Sequence, residues 1–76
     1  MDPATKVLDD KIEHHFKYHA PTPEQIPVYN EIREAGKAFA KVIAKNTAIC
    51  ADQTAALRHI EDAVMTANAA VARGGK

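Results

Sequence analysis

The stretch VYNEIREAGKAFAKVIAKN, residues 28–46, decides the fold. In it Val28, Ile32, Ala35, Phe39, Val42 and Asn46 follow one another at steps of four, three, four, three and four, the heptad-like spacing of one face of a helix. Gly36 inside the run weakens the helix slightly. A second periodic run carries Leu57, Ile60, Val64, Ala67 and Val71 at steps of three, four, three and four. Gly74 and Gly75 come directly after it, where a helix stops in left-handed geometry. Between the two runs, Asn46-Thr47 and Cys50-Ala51-Asp52 leave room for a short turn. Two helices of about 20 residues so joined form an antiparallel hairpin with arms of roughly 30 Å, and each stripe is expected to face the other.

Upstream, Asp2-Pro3 opens a shorter helix, with Asp2 free to cap and Pro3 at the first helical position, where a missing N–H costs nothing. Leu8, Ile12 and Phe16 recur every four residues along one side of it. A helix this short is marginal alone, so the stripe predicts docking, with the helix folded against or across the hairpin. The stretch His19-Ala20-Pro21-Thr22-Pro23 breaks the helix, and Thr22 with Gln25 fits a capping box for the next one. The expected organisation is all-α: one domain over 1–76, with a short N-terminal helix at 1–17 and the helical hairpin at 23–73. No strand signal, internal repeat or low-complexity tract interrupts it.

Composition bounds what such a chain can do. The sequence has 76 residues, with 10 Lys and Arg against 10 Asp and Glu, so its formal net charge is zero. That balance argues against a grip on long DNA or RNA, which needs a strongly basic footprint. No apolar run exceeds four residues, which excludes a transmembrane helix, and the N-terminus lacks the basic and apolar regions of a secretion signal. The lone Cys50 can form neither an internal disulfide nor a cysteine-rich zinc site, in keeping with an intracellular protein. Of the 35 residues counted as hydrophobic, 15 are Ala, so few large side chains are available for a core. An under-cored chain without staples is expected to self-assemble, its Ala-rich faces letting helices of other copies approach closely.

Several side-chain groupings invite a chemical reading. His15 and His19 are spaced like helical zinc ligands, yet no glutamate lies between them and a fourth ligand is missing, so no metal site is expected. Cys50 has no basic partner near it in sequence, and Asp9-Asp10 and Glu61-Asp62 diverge around their helices, so no catalytic residues are expected. Arg33, Lys37, Lys41 and Lys45, four apart, make one slowly winding cationic ridge suited to phosphates. Acidic residues early and cations late in the same helix also complement the helix dipole without any ligand. Phe16-Lys17-Tyr18-His19 sets an aromatic and a cation in the kink ahead of the prolines, where a planar base could stack or a neighbouring helix pack.

Taken together, residues 16–23 (FKYHAPTP), 32–40 (IREAGKAFA) and 56–73, with Met65-Thr66-Ala67-Asn68 leading to Arg73, resemble the hairpin domain of a family of phage anti-defence proteins. These are the cyclic-nucleotide sponges that block CBASS immunity and a related sponge that blocks Thoeris signalling. The resemblance, over roughly 14–73, implies a compact homohexamer in the cytoplasm of the infected bacterial host, sequestering its ligand in pockets between protomers without cleaving it and without a cofactor. It further implies cyclic dinucleotides such as cyclic GMP-AMP as ligands, with Tyr18 stacking a purine, Arg33 pairing with phosphate, and Lys37 adding positive field one turn on. A second kind of site, for cyclic trinucleotides, is implied near a symmetry axis, with Arg73 and then His19 as its candidates. Thr66 departs from a bulky aromatic and Cys50 from a serine-type cap. Thoeris-blocking relatives carry sequence outside the hairpin that these 76 residues lack, which favours the CBASS type. The competing readings are a small helical adaptor without a nucleotide ligand and a sponge for Thoeris cyclic ADP-ribose signals.

Overall fold

The computed structural model describes residues 2–75 and consists of three helices: α1 (Pro3–Phe16), α2 (Gln25–Asn46) and α3 (Ala51–Ala72). Their ends are set by local chemistry. The Asp2 carboxylate accepts the Thr5 amide at 2.9 Å and the Thr5 hydroxyl at 3.1 Å, with Pro3 behind it at the first helical position. Only half of the expected capping box forms at α2. The Gln25 side chain reaches back to accept the Thr22 amide at 3.0 Å, but the Gln25 amide donates to the Thr22 carbonyl, not its hydroxyl. Pro27 sits inside the first turn of α2, where an N–H would have no acceptor within the helix.

The turn between α2 and α3 is closed by side chains. Asn46 and Thr47 donate to the carbonyls of Val42 and Ile43 at 2.8 and 2.7 Å, and Gln53 donates back to the Thr47 carbonyl at 3.1 Å. Cys50 acts as the cap of α3, its Sγ accepting the Gln53 amide at 3.4 Å. At the far end, Gly75 donates to the Ala70 carbonyl at 2.9 Å and Gly74 to Val71 at 3.1 Å, a Schellman motif with both glycines at positive φ.

Helices α2 and α3 are the pair in contact. The α3 stripe is as expected: Leu57, Ile60, Val64, Ala67 and Val71 are all half-buried. The α2 stripe is corrected. Its half-buried residues are Tyr29, Ile32, Gly36, Ala40 and Ile43, whereas Phe39 is 57% and Val42 54% exposed, and Val28, Ala35 and Asn46 are exposed too. The reason is Gly36. A Cβ there would run into Cγ2 of Val64 and stand 3.8 Å from Cγ2 of Ile60, so its absence lets α3 seat on the backbone of α2. The smallest residues choose the contact line, and α2 is left with a second apolar stripe about one residue round its circumference.

The position of α1 is also corrected: it lies neither against nor across the hairpin. Leu8 and Ile12 are exposed and Phe16 is 87% exposed. The extents of 53 × 31 × 15 Å describe a slab one helix layer thick, longer than the roughly 33 Å of a 22-residue helix, so nothing lies over the hairpin and α1 projects beyond it. No described residue is fully buried. The surface of 6145 Å² compares with about 4,600 Å² for a folded monomer of this mass, and the radius of gyration of 16.7 Å with about 11 Å for a compact chain.

Candidate functional site

One end of the hairpin, where α1 arrives, α2 begins and α3 stops, brings polar side chains of α1, the linker and α2 onto backbone carbonyls at the end of α3 and of α1. Nε2 of His14 lies 3.1 Å from the carbonyl of Arg73, and Nε2 of His19 lies 2.8 Å from the carbonyl of His14. Carbonyls only accept, so both rings carry their proton on Nε2. The two rings meet edge to face with centroids 4.7 Å apart. Gln25 adds a further tie, donating from Nε2 to the Val71 carbonyl at 3.1 Å. The Arg73 carbonyl is met by His14, while the carbonyls of His14 and Val71, which already accept the Lys17 and Gly74 amides at 3.4 and 3.1 Å, take a second hydrogen bond.

Of the residues singled out in the sequence, the structure brings His19 and Arg73 to this pole, both half-buried. Tyr18 stands beside His19 in the linker and is 82% exposed. Arg33 and Lys37 lie elsewhere, on successive turns of α2 roughly 12 Å or more beyond Gln25, and both are exposed. The Arg33 guanidinium is steadied by the Asn30 side-chain oxygen at 3.3 Å. Lys41 and Lys45 continue the ridge, also exposed. Within one protomer, then, the five residues form a locked pole and a free cationic ridge. Among the described residues no three His, Cys, Asp or Glu side chains converge as a metal site. No described helix is long and apolar enough to cross a membrane.

Two features went unread in the sequence. His14 and Gln25 fasten the pole through backbone carbonyls of α3, at separations of 59 and 46 residues that no local pattern encodes. The other is an open apolar groove of about 550 Å³ between α2 and α3, with Ile32, Ala35 and Phe39 on one side and Ile60, Ala63 and Ala67 on the other. Its signal is present in the sequence, since Ala35 and Phe39 belong to the heptad-like stripe of α2.

Comparison with known proteins supplies what the geometry alone does not. A family model described as the Acb2/Tad1 hairpin domain matches residues 8–72, and the chain belongs to that family. The matched span takes in Tyr18, His19, Arg33 and Lys37 and ends one residue before Arg73. No curated protein and no solved structure matches the chain.

Proposed function

We propose that this chain is a phage anti-defence sponge that binds cyclic oligonucleotide second messengers, cyclic dinucleotides first and cyclic trinucleotides second, and withholds them from CBASS effectors without cleaving them. The observation that carries the reading is the family match, which runs through α1, the kinked linker and both hairpin helices. The family is one of phage anti-defence nucleotide sponges. The chemistry of the residues supports the ligand class. A cyclic dinucleotide presents two planar bases and two phosphate charges on one rigid ring, so little freedom is lost on binding. The exposed Tyr18 ring offers a stacking face, and the pole beneath it is already held by the His19 and Gln25 bonds. Arg33 offers a planar fork for phosphate oxygens, and Lys37 a point charge one turn on.

The separation of ridge and pole supports pockets completed between protomers. Assembly to a homohexamer is part of the same proposal, with Tyr18 of one copy and Arg33 and Lys37 of the same or a neighbouring copy closing on one ligand. Arg73, with His19 behind it, is assigned to the trinucleotide site.

The test is calorimetric titration with cyclic di-GMP, cyclic GMP-AMP and cyclic tri-adenylate, then heat release and chromatography of the bound material. Saturable binding with intact ligand recovered is expected. Tyr18→Ala should weaken dinucleotide binding tenfold or more, in line with about 1–3 kcal/mol for a base–aromatic stack, and Arg33→Glu should abolish it. Recovery of cleaved ligand would overturn the sponge. No binding to any of the three, with binding of a cyclic ADP-ribose isomer instead, would move the protein to Thoeris signals.

A further inference from the structure

We infer that α1 of one copy lies in the α2–α3 groove of another, so that the assembly is held together by exchanged N-terminal helices. The proposal rests on the assembly half of the reading above and not on its ligand.

The two surfaces match in shape and length. The groove runs from Ile32 to Ile43 on α2, about 17 Å at 1.5 Å per residue, and its floor is small: Ala35, Gly36, Ala63 and Ala67. Leu8, Ile12 and Phe16 project from α1 over about 12 Å, and all are exposed. Large side chains on one helix over a floor of small ones is the arrangement that lets helices interdigitate at 8–10 Å. Area fixes the kind of occupant. The protomer exposes about 1,500 Å² more than a folded monomer of its mass, close to two faces of about 800 Å² each, the size of a standard interface on one partner. With no described residue fully buried, these faces are open to a cover that is present wherever the chain is made, which another copy supplies and a transient partner does not.

The chain's own α1 is held away from its own groove. His14 ties the end of α1 to the terminal carbonyl region of α3, and His19 folds the linker back onto α1. Lys17 leaves α1 in extended geometry, and Pro21 and Pro23 stiffen the linker between it and α2. The helix is thereby aimed away from the hairpin, with which it makes no helix-to-helix contact.

The experiment uses the full chain. Sedimentation velocity of the wild type should give a multiple of 8.3 kDa, and Leu8→Glu with Ile12→Glu should lower it to the protomer mass while circular dichroism keeps its helical signal. In a Cys50→Ser background, an Ile12→Cys chain and a mass-tagged Ala63→Cys chain, co-expressed and mildly oxidised, should give a mixed disulfide dimer. A chain carrying both cysteines that cross-links within itself at protomer mass would overturn the exchange, because α1 would then cover its own groove. So would an assembly that survives the two glutamates. A wild-type monomer at every concentration would overturn this proposal and the hexamer together, while leaving the nucleotide titrations to decide the ligand.

Discussion

Gly36→Ala is the substitution that weighs the close helix contact against backbone preference. In a solvent-exposed helix interior, alanine would stabilise α2 by about 1 kcal/mol relative to glycine. Here the new methyl meets Cγ2 of Val64, and Val64 is poorly placed to yield, since a β-branched side chain in a helix has one strongly preferred rotamer. Forcing a methyl into a packed contact costs about 1–3 kcal/mol. The clash wins, and the net loss is expected to be about 1 kcal/mol. For a domain of 60–100 residues that is a fall in Tm of about 4–8 °C. Melts must be compared at one protomer concentration, because assembly makes Tm concentration-dependent. The companion variant Val64→Ala leaves room for the added methyl. The double variant should therefore be more stable than the sum of the two singles by roughly 1 kcal/mol, as residues in contact couple. A Tm that rises in Gly36→Ala alone would refute the reasoning and show that the glycine was merely a weak helix residue.

Three smaller perturbations test other joints of the structure. His14→Ala removes the hydrogen bond from α1 to the Arg73 carbonyl, so protease cutting within 17–24 should accelerate while hydrogen exchange in the middle of α3 stays as in wild type; equal change in both would mean that α1 and the hairpin unfold together. The Asp2 carboxyl is held below its ordinary value of 3.8, first by the Thr5 amide and then by the Thr5 hydroxyl. Its capping is therefore present above pH 3.8 and lost as pH falls through the lowered value, so the Thr5 amide should lose exchange protection in that window in wild type and not in Asp2→Ala. The side-chain oxygen of Asn68 is buried without a partner, so Asn68→Leu should leave stability unchanged or raise it; a loss above about 2 kcal/mol would reveal a donor supplied by another copy.

What the sequence made legible was what its neighbouring residues decide. Asp2-Pro3 and Gly74-Gly75 each act within four or five positions and stand where the sequence placed them, and Cys50, inside the expected turn, caps α3 in the position the resemblance gives to a serine. The partner face of α2 was not legible for a physical reason. Residues 28–46 carry two adjacent stripes that share Ile32, and the one with Gly36 and Ala40 at its centre scores lower in an apolar period than the one with Phe39 and Val42. Helix contact is limited by backbone distance, so the stripe with Gly36 and Ala40 takes α3, leaving Phe39 and Val42 outside. Gly36 thus reads as a defect in propensity and acts as the contact point. The docking of α1 failed for a different reason. Leu8, Ile12 and Phe16 do form a stripe, but in one protomer nothing covers it.

The same distinction governs the candidate site. His19 and Gln25 are fixed by hydrogen bonds within the chain, so the linker that presents Tyr18 has its shape before any ligand arrives. Arg33 has one bond to Asn30 within its own helix, and its long stem leaves the guanidinium adjustable. Under the proposed function, a fixed aromatic platform on the linker and an adjustable cation on the ridge of α2 would suit ligands that share a ring of phosphates and differ in their bases. Stacking accepts every base but with a strength that differs from one to the next, whereas the phosphate spacing is nearly constant. On that account Arg33→Lys should weaken all cyclic dinucleotides by a similar factor, because it removes the planar fork and keeps the charge. Changes at Tyr18 should instead reorder them, since each base stacks with a different strength. Parallel titrations of cyclic di-GMP and cyclic GMP-AMP against Arg33→Lys and Tyr18→Leu would decide it: if Arg33→Lys reverses their order while Tyr18→Leu leaves both untouched, the base is read from the ridge and the assignment of roles is wrong.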